Sequence, residues 1–293
     1  MTARTVRFRQ VDVFTSTPFC GNPLAVVFDA DALDAAQMQA IARWTNLSET
    51  TFVVAPTDPR ADYRVRIFTT GGELPFAGHP TLGTAHALLD SGYRPKTPGR
   101  LVQQCGVGLV ELAGGRDGWA FSAPAARVAP LPAAQYDALR AALRSDAIDF
   151  AAEPAAVDNG APWLVVRMQS AAACLALAPD AAALAAIVHA AGAHGLAAYG
   201  PHPADGPATF EVRCLMAGER FGTGEDPVTG SANAAIAGLL TRQQRRPGPR
   251  YTARQGTVLG RDGRIRVAYD DDAGRTWIGG DSVTVIDGVC RLP

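Results

Sequence analysis

The sequence predicts an α+β fold built mostly from antiparallel strands and arranged as two similar halves. Short segments with apolar residues at alternate positions are joined by turns rich in glycine, asparagine and proline, a pattern typical of hairpins. Few segments with helical spacing separate them, which argues against a regular parallel βαβ alternation. One strand-loop-helix segment also occurs twice. A boundary between the halves is expected within 123–134, which is rich in alanine and proline.

Composition excludes several classes of function. The chain has 293 residues, 47% of them hydrophobic and 19% charged, with a formal net charge of -1, so it resembles an ordinary globular protein without a basic surface for nucleic acid or anionic membranes. A small molecule is therefore the expected partner. The cysteines are odd in number and widely spaced, which predicts neither a disulfide framework nor a zinc site. With a strand pattern at the N-terminus instead of a signal peptide, we expect a cytoplasmic protein.

Local patterns assign the individual elements. Strands are predicted over 6–14, 24–28, 47–55, 63–68, 162–168, 208–216, 256–260, 264–269 and 282–286, and short strands split by glycine-rich turns are predicted within 103–112 and 119–122. A helix is predicted within 29–46, where acidic residues precede Met38, Ile41 and Trp44 near helical spacing and Asn46 offers a stop. Further helices are predicted over 133–143 and 181–193.

The repeated segment begins at Val65 and again at Val212. Each copy has an arginine in second place on a strand, then a loop with the pattern E-x-P-x-x-G, then a helix of small residues. The equivalent pairs are Arg66 and Arg213, Glu73 and Glu225, Pro75 and Pro227, Gly78 and Gly230, and His79 and Ser231. We interpret the glutamates as structural, pairing with the arginines or closing the loop. Small residues at a helix start let an anion approach the unpaired backbone N–H groups.

The two copies differ where chemistry would need them to differ. One offers His79 beside Gly78, and the other offers Asp226 and Ser231 around Gly230. A histidine and a carboxylate that meet in one cleft are suited to proton transfer. From the residues alone other roles stay open: His79 could cap its helix, and Asp226 could only complement a helix dipole.

The remaining motifs point to no metal or nucleotide. The other histidines lack the spacing of metal ligands, and no glycine pattern completes a dinucleotide or phosphate loop, so we expect neither a metal site nor a cofactor. Cys20 and Cys214 are interpreted as small core residues.

Five motifs in order resemble the PhzF family, the phenazine-biosynthesis isomerase-like proteins with a diaminopimelate epimerase-like fold. They are DVFTSTPFCGNPLAVV, ARWTNLSETTFV, RIFTTGGELPFAGHPTLGTAH, GEDPVTGSANAA, and QGTVLGR followed by WIGGDSVTV. The resemblance spans nearly the whole chain. It implies two pseudo-symmetric lobes, each a curved, mostly antiparallel sheet around a central helix, with the N-terminal lobe over 1–124 completed by a strand over 281–293 and the C-terminal lobe over 125–280.

The resemblance also implies an active site between the lobes, a homodimer, and isomerisation of a dihydro-hydroxyanthranilate-type acid without a cofactor. Glu49 would move the proton, and His79 and Asp226 would flank the substrate. The residues expected to contribute substrate contacts are Gly78, Gly230, Ser231 and Asn22. Ala77 and Val228 lie near where the epimerases of this fold carry thiols, which argues against a two-thiol racemase.

Two rival functions remain at this point. One is an epimerase or racemase that uses carboxylates in place of thiols, and the other is a non-catalytic protein that binds a small acid or another protein. The loop over 216–224 is longer than in many relatives and adds Arg220 and Phe221 near the expected site. We expect this loop to affect the choice of substrate.

Overall fold

The computed structural model describes residues 4–115, 118–217 and 224–292, and the chain forms two compact units. Unit 1 comprises Met1–Ser122 and Gly279–Pro293, and unit 2 comprises Ala123–Ile278. The loop insertion with Arg220 and Phe221 lies outside the described residues.

Unit 1 is a sheet packed around one helix. Its elements are β1 (Arg4–Val13), β2 (Asn22–Val27), α1 (Ala35–Thr45), β3 (Glu49–Val54), β4 (Tyr63–Thr69), β5 (Glu73–Leu74), α2 (Gly78–Asp90), β6 (Arg100–Cys105), β7 (Gly108–Gly115), β8 (Gly118–Ala123) and the final strand β18 (Ser282–Leu292). Helix α2 packs against β1, β2, β3 and β18 and buries most of its residues. A helix that is buried nearly all round is the centre of a core, which explains its small side chains.

Unit 2 repeats this arrangement. Its elements are β9 (Arg127–Pro130), α3 (Tyr136–Leu143), β10 (Ala155–Asp158), β11 (Pro162–Arg167), α4 (Ala171–Leu175), α5 (Ala181–Ala190), β12 (Gly195–Pro201), β13 (Phe210–Met216), β14 (Glu225–Asp226), α6 (Gly230–Arg242), β15 (Arg250–Gln255), β16 (Gly263–Asp270) and β17 (Arg275–Gly280). Helix α6 packs against β9, β10, β11, β12 and β16, and most of its residues are buried.

The pairing of strands shows the internal repeat directly. In unit 1, β1 pairs antiparallel with β2, β2 parallel with β3, β3 antiparallel with β4, β4 antiparallel with β5 and parallel with β6, and β6 antiparallel with β7. The same sequence of pairings runs through β10, β11, β12, β13, β14, β15 and β16 of unit 2. The predicted α+β fold class, with two pseudo-symmetric and mostly antiparallel halves, is confirmed.

Local signals explain where α1 begins and ends. The Asp34 side chain accepts a hydrogen bond from the Gln37 backbone N–H at 2.8 Å, and the Gln37 side chain accepts one from the Asp34 backbone N–H at 3.0 Å. This reciprocal capping box satisfies two donors at the helix start. Asn46 ends the helix in the left-handed region with φ of 55°, as the sequence predicted. Trp44, however, points to solvent and is 84% exposed despite its helical spacing.

Two local predictions need correction. The segment 256–260 is not a strand, because Gly256 and Gly260 both adopt positive φ (93° and 71°) and Thr257–Leu259 forms a 3₁₀ turn between them. Left-handed backbone at both ends interrupts the extended conformation that a strand requires. The helix predicted over 133–143 begins with a 3₁₀ turn over Ala133–Gln135 before α3.

Candidate active site

Unit 1 places a glutamate against a histidine in a buried position. Glu49 is the first residue of β3, where it lies opposite Thr69 of β4, and His79 is the second residue of α2. His79 Nε2 lies 3.3 Å from Glu49 Oε2, and the two side chains are only 6% and 15% exposed. The packing of α2 on the sheet therefore brings together two of the predicted catalytic residues.

Burial fixes the charge state of His79. Desolvation lowers the pKa of the imidazole to about 3, so the ring is neutral near neutral pH. Asn22 Nδ2 lies 3.5 Å from His79 Nδ1. Because an amide nitrogen only donates, Nδ1 accepts in this arrangement and the ring carries its proton on Nε2, towards Glu49. A neutral imidazole with its donor on Nε2 thus faces the Glu49 side chain.

The turn before Asn22 explains how this amide is held. Asn22 begins β2, is fully buried and lies opposite Val13 of β1. Gly21 donates its backbone N–H to Asp12 Oδ2 at 3.0 Å. A Cβ at Gly21 would stand 2.2 Å from the Val13 carbonyl oxygen, so only glycine allows this close approach.

Unit 2 holds the third predicted catalytic residue, Asp226. It ends β14 and lies opposite Cys214 of β13. Thr229 Oγ1 donates a hydrogen bond of 2.5 Å to Asp226 Oδ2. A short hydrogen bond to a carboxylate of this kind is stronger than one between neutral groups, so it fixes the orientation of the side chain.

Ser231, predicted to bind substrate, is already in contact with the sheet. Its hydroxyl accepts a hydrogen bond from Trp163 Nε1 at 3.1 Å, and its carbonyl oxygen accepts one from Asn159 Nδ2 at 3.0 Å. Since the indole nitrogen can only donate, the hydroxyl hydrogen of Ser231 is not used in this contact. Ser231 can therefore present a donor to a ligand.

Gly78 and Gly230 begin α2 and α6 and are both buried. Within the described part of the chain, neither helix has a side-chain hydrogen bond at its N-cap (Ala77 and Thr229) or an acidic residue in its first turn. Such helix starts present uncapped backbone N–H groups and a partial positive charge. The predicted binding of a carboxylate at these glycines stays a prediction.

The glutamates of the repeat have the structural role that the sequence indicated. Arg66 binds both carboxylate oxygens of Glu73 at 2.8 and 2.7 Å. Arg213 binds Glu225 in the same way, with a shortest distance of 2.8 Å, and donates to the Leu177 carbonyl at 2.6 Å. The unit 2 pair is buried, with both side chains 7% exposed, whereas those of the unit 1 pair are 25% and 42% exposed.

Cys174 and Cys214 are buried, whereas Cys20, interpreted from the sequence as a core residue, is only partly buried, as are Cys105 and Cys290. All five are free, and burial raises the pKa of Cys174 to about 12 and that of Cys214 well above its ordinary value. Among the described residues, no group of three or more His, Cys, Asp or Glu side chains is arranged to hold a metal ion. In the same ranges, no helix combines the length and apolar character needed to cross a membrane.

Sequence reasoning missed two polar residues beside Asp226, namely Thr229 and Gln255. Both appear in the motifs quoted above, but only as members of a pattern. Gln255 is fully buried and donates to the carbonyl oxygen of Asp226 at 2.9 Å. A contact between residues 29 positions apart has no local signal in a single sequence. The one indication in the sequence is that Gln255 is a polar residue directly before a glycine.

Comparison with known proteins agrees with this architecture. The profile of the phenazine biosynthesis-like protein family matches residues 11–288. Antisense-enhancing sequence 1 of Schizosaccharomyces pombe is 36% identical, covering 96% of this chain and 97% of its own length. Trans-2,3-dihydro-3-hydroxyanthranilate isomerase of Pseudomonas aeruginosa is 37% identical, covering 88% of each chain. The crystal structure of a Bacillus anthracis PhzF family protein superposes with a TM-score of 0.83 at 23% identity, covering 98% of this chain and 99% of that one.

The fold and the isomerases among these relatives establish the class of protein: it is an isomerase with two pseudo-symmetric α+β halves. The chain belongs to the phenazine biosynthesis-like (PhzF) family.

Proposed function

We propose that the chain moves a proton, and with it a double bond, on a small cyclic or unsaturated carboxylic acid of the trans-2,3-dihydro-3-hydroxyanthranilate type, and that it needs no cofactor. The observation that carries this proposal is the buried contact of 3.3 Å between Glu49 and His79. A carboxylate shielded from water and faced by a neutral imidazole can both take and return a proton. The name of the Pseudomonas aeruginosa relative supports the substrate class.

The proposed reaction balances without an external reagent. Glu49 takes a proton from a saturated ring carbon, and the electron pair of the broken C–H bond forms a new double bond as the existing one shifts along the ring. The protonated carboxyl then returns the same proton to the carbon at the far end of the shifted system. His79, neutral and protonated on Nε2, keeps the carboxylate oriented between the two steps.

In the same proposal, Asp226 and Ser231 orient the polar groups of the substrate, and the helix starts at Gly78 and Gly230 hold its carboxylate. Support comes from the short Thr229 hydrogen bond that fixes Asp226, from the Ser231 hydroxyl, whose hydrogen is not used by Trp163, and from the uncapped starts of α2 and α6. The proposal includes that these groups act on the same substrate molecule as Glu49.

The proposal extends to a cytoplasmic homodimer. Five free thiols suit a reducing compartment. Ile286 and Val289 of β18 are 48% and 65% exposed and offer apolar surface that a second copy of the chain would cover. Light scattering after size exclusion should give twice the chain mass of 30.6 kDa, and cell fractionation should recover the protein with cytoplasmic markers. A mass of one chain would refute the dimer.

The test is turnover of trans-2,3-dihydro-3-hydroxyanthranilate by the purified protein, followed by absorbance, by product analysis and by optical rotation. A shifted double bond changes the absorbance, and this is the expected result. Loss of optical rotation without an absorbance change would favour an epimerase instead. Neither change across a panel of unsaturated and amino-acid-like carboxylates would contradict the proposal and favour a binding protein.

A further inference from the structure

The buried amide of Gln255 uses its hydrogen-bonding positions on the loop before α6 and on the first turn of that helix. Gln255 is the last residue of β15 and has no exposed surface. Its Oε1 accepts from the Thr229 backbone N–H at 3.0 Å and from Asn233 Nδ2 at 3.1 Å. Its Nε2 donates to the Asp226 carbonyl oxygen and to Thr229 Oγ1, both at 2.9 Å. Because a backbone N–H can only donate, the oxygen and nitrogen of this amide cannot be exchanged.

This fixed amide determines where the Thr229 hydroxyl sends its hydrogen. Thr229 Oγ1 accepts from Gln255 Nε2, and a hydroxyl has one hydrogen to donate. That hydrogen goes to Asp226 Oδ2, 2.5 Å away. The chain of donors therefore runs from Gln255 through Thr229 and ends on the carboxylate, which is held as an acceptor.

The position of Thr229 shows that this arrangement is not an ordinary helix cap. Thr229 is the N-cap residue of α6, where a threonine side chain usually accepts from a backbone N–H of the first turn. Here its hydroxyl makes no such capping bond within the described residues and serves Asp226 instead. The helix gives up a stabilising cap, and the carboxylate gains a donor.

The turn that follows Gln255 is itself held in place. Gly256 has φ of 93°, and a Cβ there would stand 2.7 Å from the Pro227 carbonyl oxygen, so the turn after β15 lies directly against the loop that holds Asp226. The fully buried carboxylate of Glu211 accepts from the Thr257 hydroxyl and lies 3.0 Å from His202 Nε2. The hydrogen bond from Thr257 to Glu211 thus ties this turn to β13 of unit 2.

From this geometry we propose that Gln255 and Thr229 are positioning residues that hold the Asp226 carboxylate in its reactive orientation. The inference rests on the proposed function, in which Asp226 orients the substrate. Both residues act through Asp226 and neither needs to touch the substrate. Their loss should therefore lower kcat with little change in KM.

The experiment is a double-mutant cycle. Thr229→Val removes the hydroxyl at nearly constant volume and should lower kcat about 10- to 100-fold, the size expected for one lost hydrogen bond to a charged group. Thr229→Ser keeps the hydroxyl and should restore most of the activity. In the Asp226→Asn background, Thr229→Val should cost no more than about twofold, because the group through which it acts is already altered. Thr241→Val, which removes an exposed hydroxyl at the other end of α6, is the control and should stay within about twofold of wild type.

The outcomes distinguish failure of the positioning role from failure of the proposed function of Asp226. If Asp226→Asn lowers kcat but leaves turnover that can be measured, and Thr229→Val costs as much in that background as in the wild type, the positioning role is overturned and the function of Asp226 stands. If Asp226→Asn turns over substrate like the wild type, Asp226 has no role in the reaction. The positioning role of Gln255 and Thr229 is then refuted as well. Failure of Thr229→Ser to restore kcat would also overturn the inference, since a hydroxyl alone should suffice.

Two further measurements keep the inference testable. Gln255→Glu keeps the acceptor for Thr229 but removes the amide donor, so it should lower kcat at least as much as Thr229→Val, and near-wild-type turnover would overturn the role of Gln255. The free energies of unfolding of the Thr229→Val and Asp226→Asn proteins and of the double variant test the hydrogen bond without any substrate. Non-additive losses are expected, and additive losses would show that the hydroxyl does not serve the carboxylate.

Discussion

Replacing His79 by glutamine should remove an acid-dependent loss of stability. Burial lowers the pKa of His79 from 6.5 to about 3 in the folded chain. Between these two values the unfolded chain binds a proton that the folded chain does not bind, so the free energy of unfolding rises with pH in this window. The stability is therefore complete above pH 6.5 and is lost as the pH falls towards 3. Glutamine fills the site without titrating.

The size of the effect follows from the same two values. Between pH 6 and pH 4, a group with a pKa of 6.5 unfolded and about 3 folded changes the free energy of unfolding by about 2.5 kcal/mol. The Glu49 carboxylate, 3.3 Å away, favours the protonated ring and acts against burial, so this value is an upper limit. Titrating groups that do not contact His79 have the same surroundings in both proteins and cancel in the difference.

Urea unfolding of wild type and His79→Gln at several pH values measures this difference. Wild type should lose up to about 2.5 kcal/mol more than the variant on going from pH 6 to pH 4. His189→Gln, at an exposed position of α5, is the matched control and should follow the wild-type profile. A difference between wild type and His79→Gln that stays constant with pH would refute the conclusion that His79 is held neutral by burial.

Three further predictions concern the framework of the site and its chemistry. Arg213→Met leaves the buried Glu225 without its cation and should lower the free energy of unfolding, measured in urea, by about 3 to 5 kcal/mol. Arg66→Met, beside the more exposed Glu73, should lower it by at most about 1 kcal/mol. Equal losses would contradict the difference in burial. Gly21→Ala places a Cβ 2.2 Å from a carbonyl oxygen of β1 and should destabilise the chain by more than about 1 kcal/mol, so an unchanged unfolding midpoint would count against the described turn. Incubation with EDTA should leave turnover intact, and a tightly bound metal lost together with activity would contradict the cofactor-independent proposal.

Much of the framework could be predicted because its signals are local or repeated. The equivalence of the two copies predicted the arginine-glutamate pairs, and the structure confirms both of them. The acids before α1 and Asn46 after it marked the ends of that helix. Where local rules failed, glycine geometry decided: positive φ at Gly256 and Gly260 turned an apparent strand into a 3₁₀ turn.

The polar contacts around the site could be predicted only in part. His79 was identified from the internal repeat and Glu49 from a family motif, yet their contact depends on how α2 packs on the sheet, which no sequence spacing records. Asn22 lies 57 positions from His79 and Gln255 lies 26 from Thr229, so the hydrogen bonds that fix His79 and Asp226 form between distant segments. Only the folded chain shows which group in each of these hydrogen bonds donates and which accepts.

The most direct test of the central claim is turnover by Glu49→Gln in D₂O, with deuterium followed at the product carbon. Glutamine keeps the shape of the side chain and cannot exchange a proton, so the variant should fold and bind ligand but lose about 10²- to 10⁴-fold in turnover. Glu73→Gln, which alters only an exposed ion pair, should keep near-wild-type turnover and deuterium content. Near-wild-type turnover by Glu49→Gln, with an unchanged circular dichroism spectrum, would show that another group carries the proton.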